Sequence, residues 1–211
     1  MRRLQRRTHS GKNMSDIRKS FQRSKGQAVA GVVLLLAFTN VITPAQKAIT
    51  PPPIKNFGKV NDNYFRGSQP THPQMAQLKA MGIKTIVDLR KDFVPGAREW
   101  ARELGLNYFN IPLLPGRPAT KQQTEYFLSL VNDPANFPVY VHCRGGSHRT
   151  GALTGVYRIT HDGWTAEQAF EEMKKYDFDQ GFGSFGGPPA QKKFVFQFYE
   201  EHKKLQTGVT K

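Results

Sequence analysis

The chain has 211 residues, 38% of them apolar, and a formal net charge of +15, which suits one folded domain with appendages. The charge is uneven: residues 1–48 hold ten Lys/Arg and one acidic residue, whereas residues 49–211 hold 21 basic and 15 acidic. The larger part is only moderately basic and shows no Lys/Arg stripe with interleaved aromatics, which argues against nucleic acid as a partner.

Met1 to Lys25 is polar, basic and without periodicity. Gln27 to Ala45 carries no charge and can fill the ~20 residues that a bilayer span requires. A basic segment before such a run is the pattern of a secretory signal. Thr43-Pro44-Ala45 makes a poor cleavage site, so retention as an anchor is also expected, and Met14 is an alternative start. The expected organisation is a basic cytoplasmic tail at 1–26 and an N-terminal membrane segment at 27–45, either a transmembrane signal anchor or a signal peptide. A Pro-rich linker at 46–56, a folded domain at 57–205 and a tail at 206–211 follow. The positive-inside rule then places the domain outside the cytoplasm (periplasmic), or exported after cleavage. The single cysteine, Cys143, leaves no intramolecular disulfide to form there.

Within the linker, Thr50-Pro51-Pro52-Pro53 is stiff and extended. Short β segments are predicted over Phe57 to Arg66 around Asn61-Asp62-Asn63, with a loop from Gly67 to Pro70. Thr71-His72-Pro73-Gln74 has the form of a capping box and opens a helix to Met81, with Met75, Leu78 and Met81 inward. Thr85 to Leu89 is a strand apolar on both faces, as in a covered parallel sheet. Arg90-Lys91-Asp92 sits at its C-terminal end, the edge where open α/β sheets keep their sites. A helix over Pro95 to Leu104, a strand over Asn107 to Ile111 and a loop over Pro112 to Pro118 follow. Thr120-Lys121-Gln122-Gln123 opens another helix, running to about Asn132. Beyond His161, Thr165-Ala166-Glu167-Gln168 caps a helix to about Tyr176. The glycine-rich stretch from Asp177 to Pro189 is a flap or an ordinary surface loop. A last helix spans about Ala190 to Leu205.

Between these lies Val139-Tyr140-Val141-His142-Cys143-Arg144-Gly145-Gly146-Ser147-His148-Arg149-Thr150-Gly151. An apolar strand feeds a glycine-bearing loop that opens a helix from about Arg149 to Asp162. Such a junction turns backbone N–H groups inward and adds the positive end of a helix dipole, which together bind an anion. Cys143 stands at the start of the loop, and Arg149 can fork two N–H bonds to a phosphate. Amides and a guanidinium around a thiol favour the thiolate, the form that attacks phosphorus. The product would be a phospho-cysteine that water hydrolyses, with no metal and no cofactor required.

This loop resembles the signature of the cysteine-dependent protein-tyrosine and dual-specificity phosphatases. Tyr64-Phe65-Arg66-Gly67-Ser68-Gln69-Pro70, Gly82 to Arg90, and Tyr157-Arg158 are similar to segments of the compact, mostly microbial members. The resemblance spans roughly Phe57 to Lys204. It implies an α/β fold with a central, mainly parallel sheet of four or five strands flanked by helices. It implies Cys143 as nucleophile, Arg149 as phosphate clamp, Thr150 as the hydroxyl that helps the thiolate leave, and His142 as the residue that orients the loop. Arg144, Gly145, Gly146, Ser147, His148 and Arg149 would surround the phosphate.

The resemblance also exposes a departure. Members of the family carry an aspartate some thirty to forty residues before the cysteine, to protonate the leaving oxygen. Here that loop, Ile111 to Thr120, has no Asp or Glu. Asp92 is the best substitute as general acid, with His148, Asp177 and Asp179 as weaker ones. Arg144 and His148 make the loop unusually cationic, which accompanies multiply charged substrates in this superfamily. The expected partners are therefore a phosphorylated protein or a phospholipid or inositol phosphate, together with a membrane through residues 27–45. A weakly catalytic docking module built on the same cradle is the alternative from another class.

Overall fold

The computed structural model describes residues 50–92, 94–178 and 188–208, all within the unit Lys47–Lys211. The expected tail 1–26 and membrane segment 27–45 lie outside the described residues, as does most of 177–189, Asp179 included. Among the described residues no helix is long and apolar enough to cross a membrane.

Five strands form one sheet: β1 (Gly58–Asn61), β2 (Tyr64–Ser68), β3 (Thr85–Arg90), β4 (Asn107–Leu113) and β5 (Val139–Cys143), in the order β1-β2-β5-β3-β4. Only the β1–β2 pair is antiparallel; β2, β5, β3 and β4 run parallel. The mainly parallel sheet expected from the sequence is thus present. The central strands β3 and β5 are buried at every residue, and the two-residue period of a strand divides their side chains between two cores. Val87, Leu89, Val139, Val141 and Cys143 face one core, with Phe127, Leu153 and Tyr157. Ile86 and Tyr140 face the other, with Met75, Leu78, Ala97 and Ala101. The helices supplying these contacts are α1 (His72–Ala80), α2 (Ala97–Glu103), α3 (Lys121–Val131) and α4 (His148–His161). Behind α4, α5 (Ala166–Lys174) and α6 (Pro188–Thr207) enclose a third cluster around Ala152, Ile159, Met173 and Val195.

The three capping boxes read from the sequence all form. Thr71, Thr120 and Thr165 accept from the backbone of Gln74, Gln123 and Gln168, whose side chains return the bond. Each box satisfies two amides that a helix start leaves open.

Several boundaries differ. β2 continues through Gly67 and Ser68, expected as loop, because these residues pair with His142 and Cys143 of β5. β4 runs through Pro112 to Leu113; it is an edge strand, where a missing N–H costs no ladder bond. α4 begins one residue early, at His148. α6 continues to Thr207, so the expected tail starts inside it. Met81, expected inward, is only partly buried. On α5, Glu172 pairs with Arg158 of α4 at 2.6 Å.

Candidate active site

β5 lies mid-sheet and ends at Cys143, so its C-terminal edge delivers the thiol to the start of the loop 144–147. Three loop carbonyls are held from outside. Gln69 N donates to Arg144 O at 3.3 Å, Asn56 Nδ2 to Gly145 O at 2.9 Å, and Arg66 Nη2 to Gly146 O at 2.6 Å. A peptide's C=O and N–H point in opposite directions, so drawing the carbonyls outward aims the amides at the anion position. At Gly146, φ is +71°, and a Cβ there would lie 2.4 Å from Gly67 C and 2.5 Å from Ser68 N. The close approach of the loop to β2 therefore requires glycine for two reasons, conformation and space. Helix α4 adds its own amides. Its N-cap, Ser147, makes no side-chain capping bond, so the first-turn donors and the dipole stay available.

Arg149 is buried in this first turn, its Nη1 donating to Leu113 O at 3.1 Å and standing 3.9 Å from Asp92 Oδ1. Thr150 is fully buried, with an Oγ1 that has no hydrogen-bond partner. His142 is buried on the opposite face of β5, its Nδ1 3.4 Å from Cys143 O and 3.8 Å from Asp88 Oδ1. Burial holds its imidazole below the usual histidine range, against the pull of Asp88. Asp88 is itself fixed, accepting from Tyr108 OH at 2.7 Å and from Arg90 N at 2.9 Å. These contacts tie the residue before Cys143 to β3 and, through Asp88 and Tyr108, to β4.

Asp92 does reach the site. It lines the same cavity as Cys143, Arg144, Gly145, Ser147, His148 and Arg149, of about 470 Å³. Its carboxylate accepts from Arg90 Nη2 at 2.9 Å, and Arg90 also bonds its backbone oxygen. That hydrogen bond from Arg90 holds the Asp92 carboxyl below the usual range. His148 bridges the loop to α5's exit, with Nδ1 3.2 Å from Ser147 Oγ and Nε2 2.8 Å from Phe178 O. Asp177, one of the weaker acid candidates, pairs with Lys55 at 3.2 Å. A larger cavity, about 580 Å³, lies along α5, but Glu167, Glu171 and Glu172 line it and disfavour an anion.

Of the residues expected around the phosphate, Gly146 does not line the cavity; it packs behind the loop against β2. The cavity wall adds Lys55, Pro115, Gly116 and Gln191, which the sequence reading missed. Arg66 and Asn56, which hold the loop, were also missed as supports. The one sequence signal was a buried-strand position occupied by arginine in Tyr64-Phe65-Arg66. Among the described residues no cluster of His, Cys, Asp and Glu is suited to hold a metal ion.

A family model described as a DSP-PTPase phosphatase fused to NAD+ kinase matches residues 54–184. The chain is 27% identical over 136 residues to the dual specificity protein phosphatase TpbA of Pseudomonas aeruginosa, covering 64% of this chain and 61% of that protein. It is 28% identical over 130 residues to the inositol diphosphatase DSP4 of Arabidopsis thaliana, covering 59% of this chain and 65% of that one. The chain thus spans less than two thirds of either relative's length. Among solved structures, the core catalytic domain of the PP-IP phosphatase SIW14 of S. cerevisiae superposes with a TM-score of 0.62 at 22% identity, covering 75% of this chain and 95% of that one.

Proposed function

We propose, because the chain belongs to the DSP-PTPase phosphatases, that it hydrolyses phosphate monoesters of tyrosine or dual-specificity type through a phospho-cysteine at Cys143. The observation that carries this reading is the loop itself. Three loop carbonyls are pinned outward, and an uncapped helix start presents a buried arginine that lines one cavity with the only thiol. The Cys143 thiolate attacks phosphorus, the S–P bond forms and the ester P–O bond breaks. Arg149 and the loop amides take the equatorial oxygens, and Thr150 Oγ1, buried without a partner, is available to the sulfur when the thiolate departs.

Asp92 is the proton donor to the leaving oxygen in this scheme, and its setting limits it. While Arg90 holds it ionised, it has no proton to give. A bound dianion adds a negative neighbour and draws Arg149 toward itself, and both changes raise the proton affinity of Asp92. The site therefore favours leaving groups that depend less on protonation than an alkyl alcohol does, a phosphate most and a phenol next.

A specific observation favours a second reading, hydrolysis of inositol or lipid phosphates. The cavity wall carries Lys55 and Arg144 in addition to Arg149, more cationic groups than one phosphate needs. The experiment that decides is phosphate release by the full chain and by Cys143→Ser across phosphotyrosine peptides, inositol phosphates and lipid phosphates. Turnover that the mutant loses supports the enzyme, and the best substrate chooses between the readings. Equal inactivity of both proteins, with phosphate still bound, would leave the docking module.

The placement of the enzyme follows the N-terminal sequence. Residues 27–45 serve as signal anchor or signal peptide, with the phosphatase domain outside the cytoplasm. Supporting this are the uncharged run and the basic residues before it. Protease accessibility in spheroplasts against intact cells tests it, and protection of the domain in spheroplasts would overturn it.

A further inference from the structure

Arg66 has the burial of a core residue and the charge of a surface one. It lies on β2 opposite Val141, fully buried. None of the ion pairs among the described residues includes it, and its Nε and Nη1 are buried without hydrogen-bond partners. Its guanidinium donates from Nη2 to Gly146 O at 2.6 Å and lies over the Tyr176 ring, whose centroid is 3.9 Å from the guanidinium carbon. Gly58 on β1 makes room for that ring; a Cβ there would lie 2.2 Å from Tyr176 Oη. Keeping an uncompensated cation in this position is costly, and hydrophobic replacements of similar volume would avoid the cost.

Burial works hardest against the charge; Tyr64, Tyr176 and Glu172 act in its favour, and Cys143 adds a smaller contribution from the loop that Arg66 pins. A phosphate dianion in the cradle would add charge of the same sign as the thiolate. We propose that Arg66 is a positioning residue of the phosphate loop: a buried fixed cation that pins Gly146 and strengthens the hold on the phosphate dianion. It acts through the loop, without touching the substrate, since it does not line the cavity. This rests on the reading of the loop as a phosphate cradle.

Charge and pinning are separated by three substitutions in the full chain. Arg66→Lys keeps the charge, Arg66→Gln keeps a neutral donor, and Arg66→Met keeps neither. Binding of inorganic phosphate is measured by calorimetry, and its competitive inhibition of p-nitrophenyl phosphate hydrolysis is measured in parallel, with Tm recorded for each variant. The Gln and Met variants are expected to bind phosphate at least tenfold more weakly, in a loss that does not follow Tm. Arg66→Lys is expected to stay within fivefold of wild type. The proposal is overturned if either neutral variant loses less than tenfold. It is equally overturned if Arg66→Lys loses more than fivefold, an outcome readable even where the neutral variants do not fold. Calorimetry needs no turnover, so an inactive wild type that still binds phosphate would refute the phosphatase reading and leave this comparison standing.

Discussion

Gly146→Ala is the sharpest test of how the loop is built. Two costs are separable. The positive φ of +71° penalises any residue with a Cβ by about 1–2 kcal/mol. The new Cβ also meets backbone atoms of Gly67 and Ser68 at 2.4–2.6 Å, and these belong to a paired strand that cannot swing aside as a side chain would. Overpacking of this kind adds about 1–3 kcal/mol, for a total of about 2–5 kcal/mol. Gly163 provides the control, since its φ is +68° and nothing lies within 4 Å of its Cβ position. Gly163→Ala therefore measures the conformational cost alone. Urea unfolding of both variants gives the difference, which should be about 1 kcal/mol or more. Relief of the clash requires the loop to move away from β2, and a displacement near ~1 Å costs on the order of 100-fold in rate. Hydrolysis of p-nitrophenyl phosphate should fall by that order in Gly146→Ala and remain unchanged in Gly163→Ala. If the two variants match in stability to within about 0.5 kcal/mol, and Gly146→Ala keeps its activity, the argument from close approach is wrong.

Asp92→Asn should reduce kcat on a tyrosine phosphate by about 100-fold and on p-nitrophenyl phosphate far less, because the better leaving group needs no proton; equal losses on both substrates would remove Asp92 as the acid. Arg90→Met withdraws the hydrogen bond that holds Asp92 ionised, so the falling alkaline limb of the pH–rate profile should move to higher pH. Because burial lowers the proton affinity of His142 in the folded state, the unfolded chain takes up its proton near pH ~6.5 while the folded chain does not, and folding stability should drop as pH falls through that value. Urea midpoints for wild type and His142→Asn across pH 5–8 test this, and parallel curves would refute it. Arg158→Met strips the partner from Glu172, whose side chain is 12% exposed, and should cost about 3 kcal/mol while leaving kcat/KM within twofold, since Arg158 is remote from the site cavity.

The parts of this molecule that were legible in its sequence are those specified by local chemistry. A capping box needs four consecutive residues, and Thr71, Thr120 and Thr165 each announced a helix start that the structure keeps. The strand–loop–helix junction at Cys143 is likewise contiguous, so Cys143, Arg149 and the loop between them could be placed before any fold was known. Boundaries failed where a distant strand decided the matter. Gly67 and Ser68 have the composition of a turn, yet β5 pairs with them across more than seventy residues of sequence. Pro112 opens an expected loop yet lies within β4, because a position at the sheet edge, where proline is tolerated, cannot be read locally. The supports of the site were hidden for the same reason. Asn56 and Arg66 reach the loop from 89 and 80 residues away, and Gln191 joins the cavity wall from the last helix. Arg66 nonetheless left a trace: a cation within the short strand Tyr64-Phe65-Arg66, which pairs with the apolar start of β5, is a local conflict, and such conflicts persist where function compensates for them. Asp92 shows how little proximity alone decides. Its position at a strand end was readable, but whether it carries a proton is set by Arg90, two residues away, whose side chain folds back onto it. The chemistry of the site thus depends on a contact that spacing permits and only the folded loop makes.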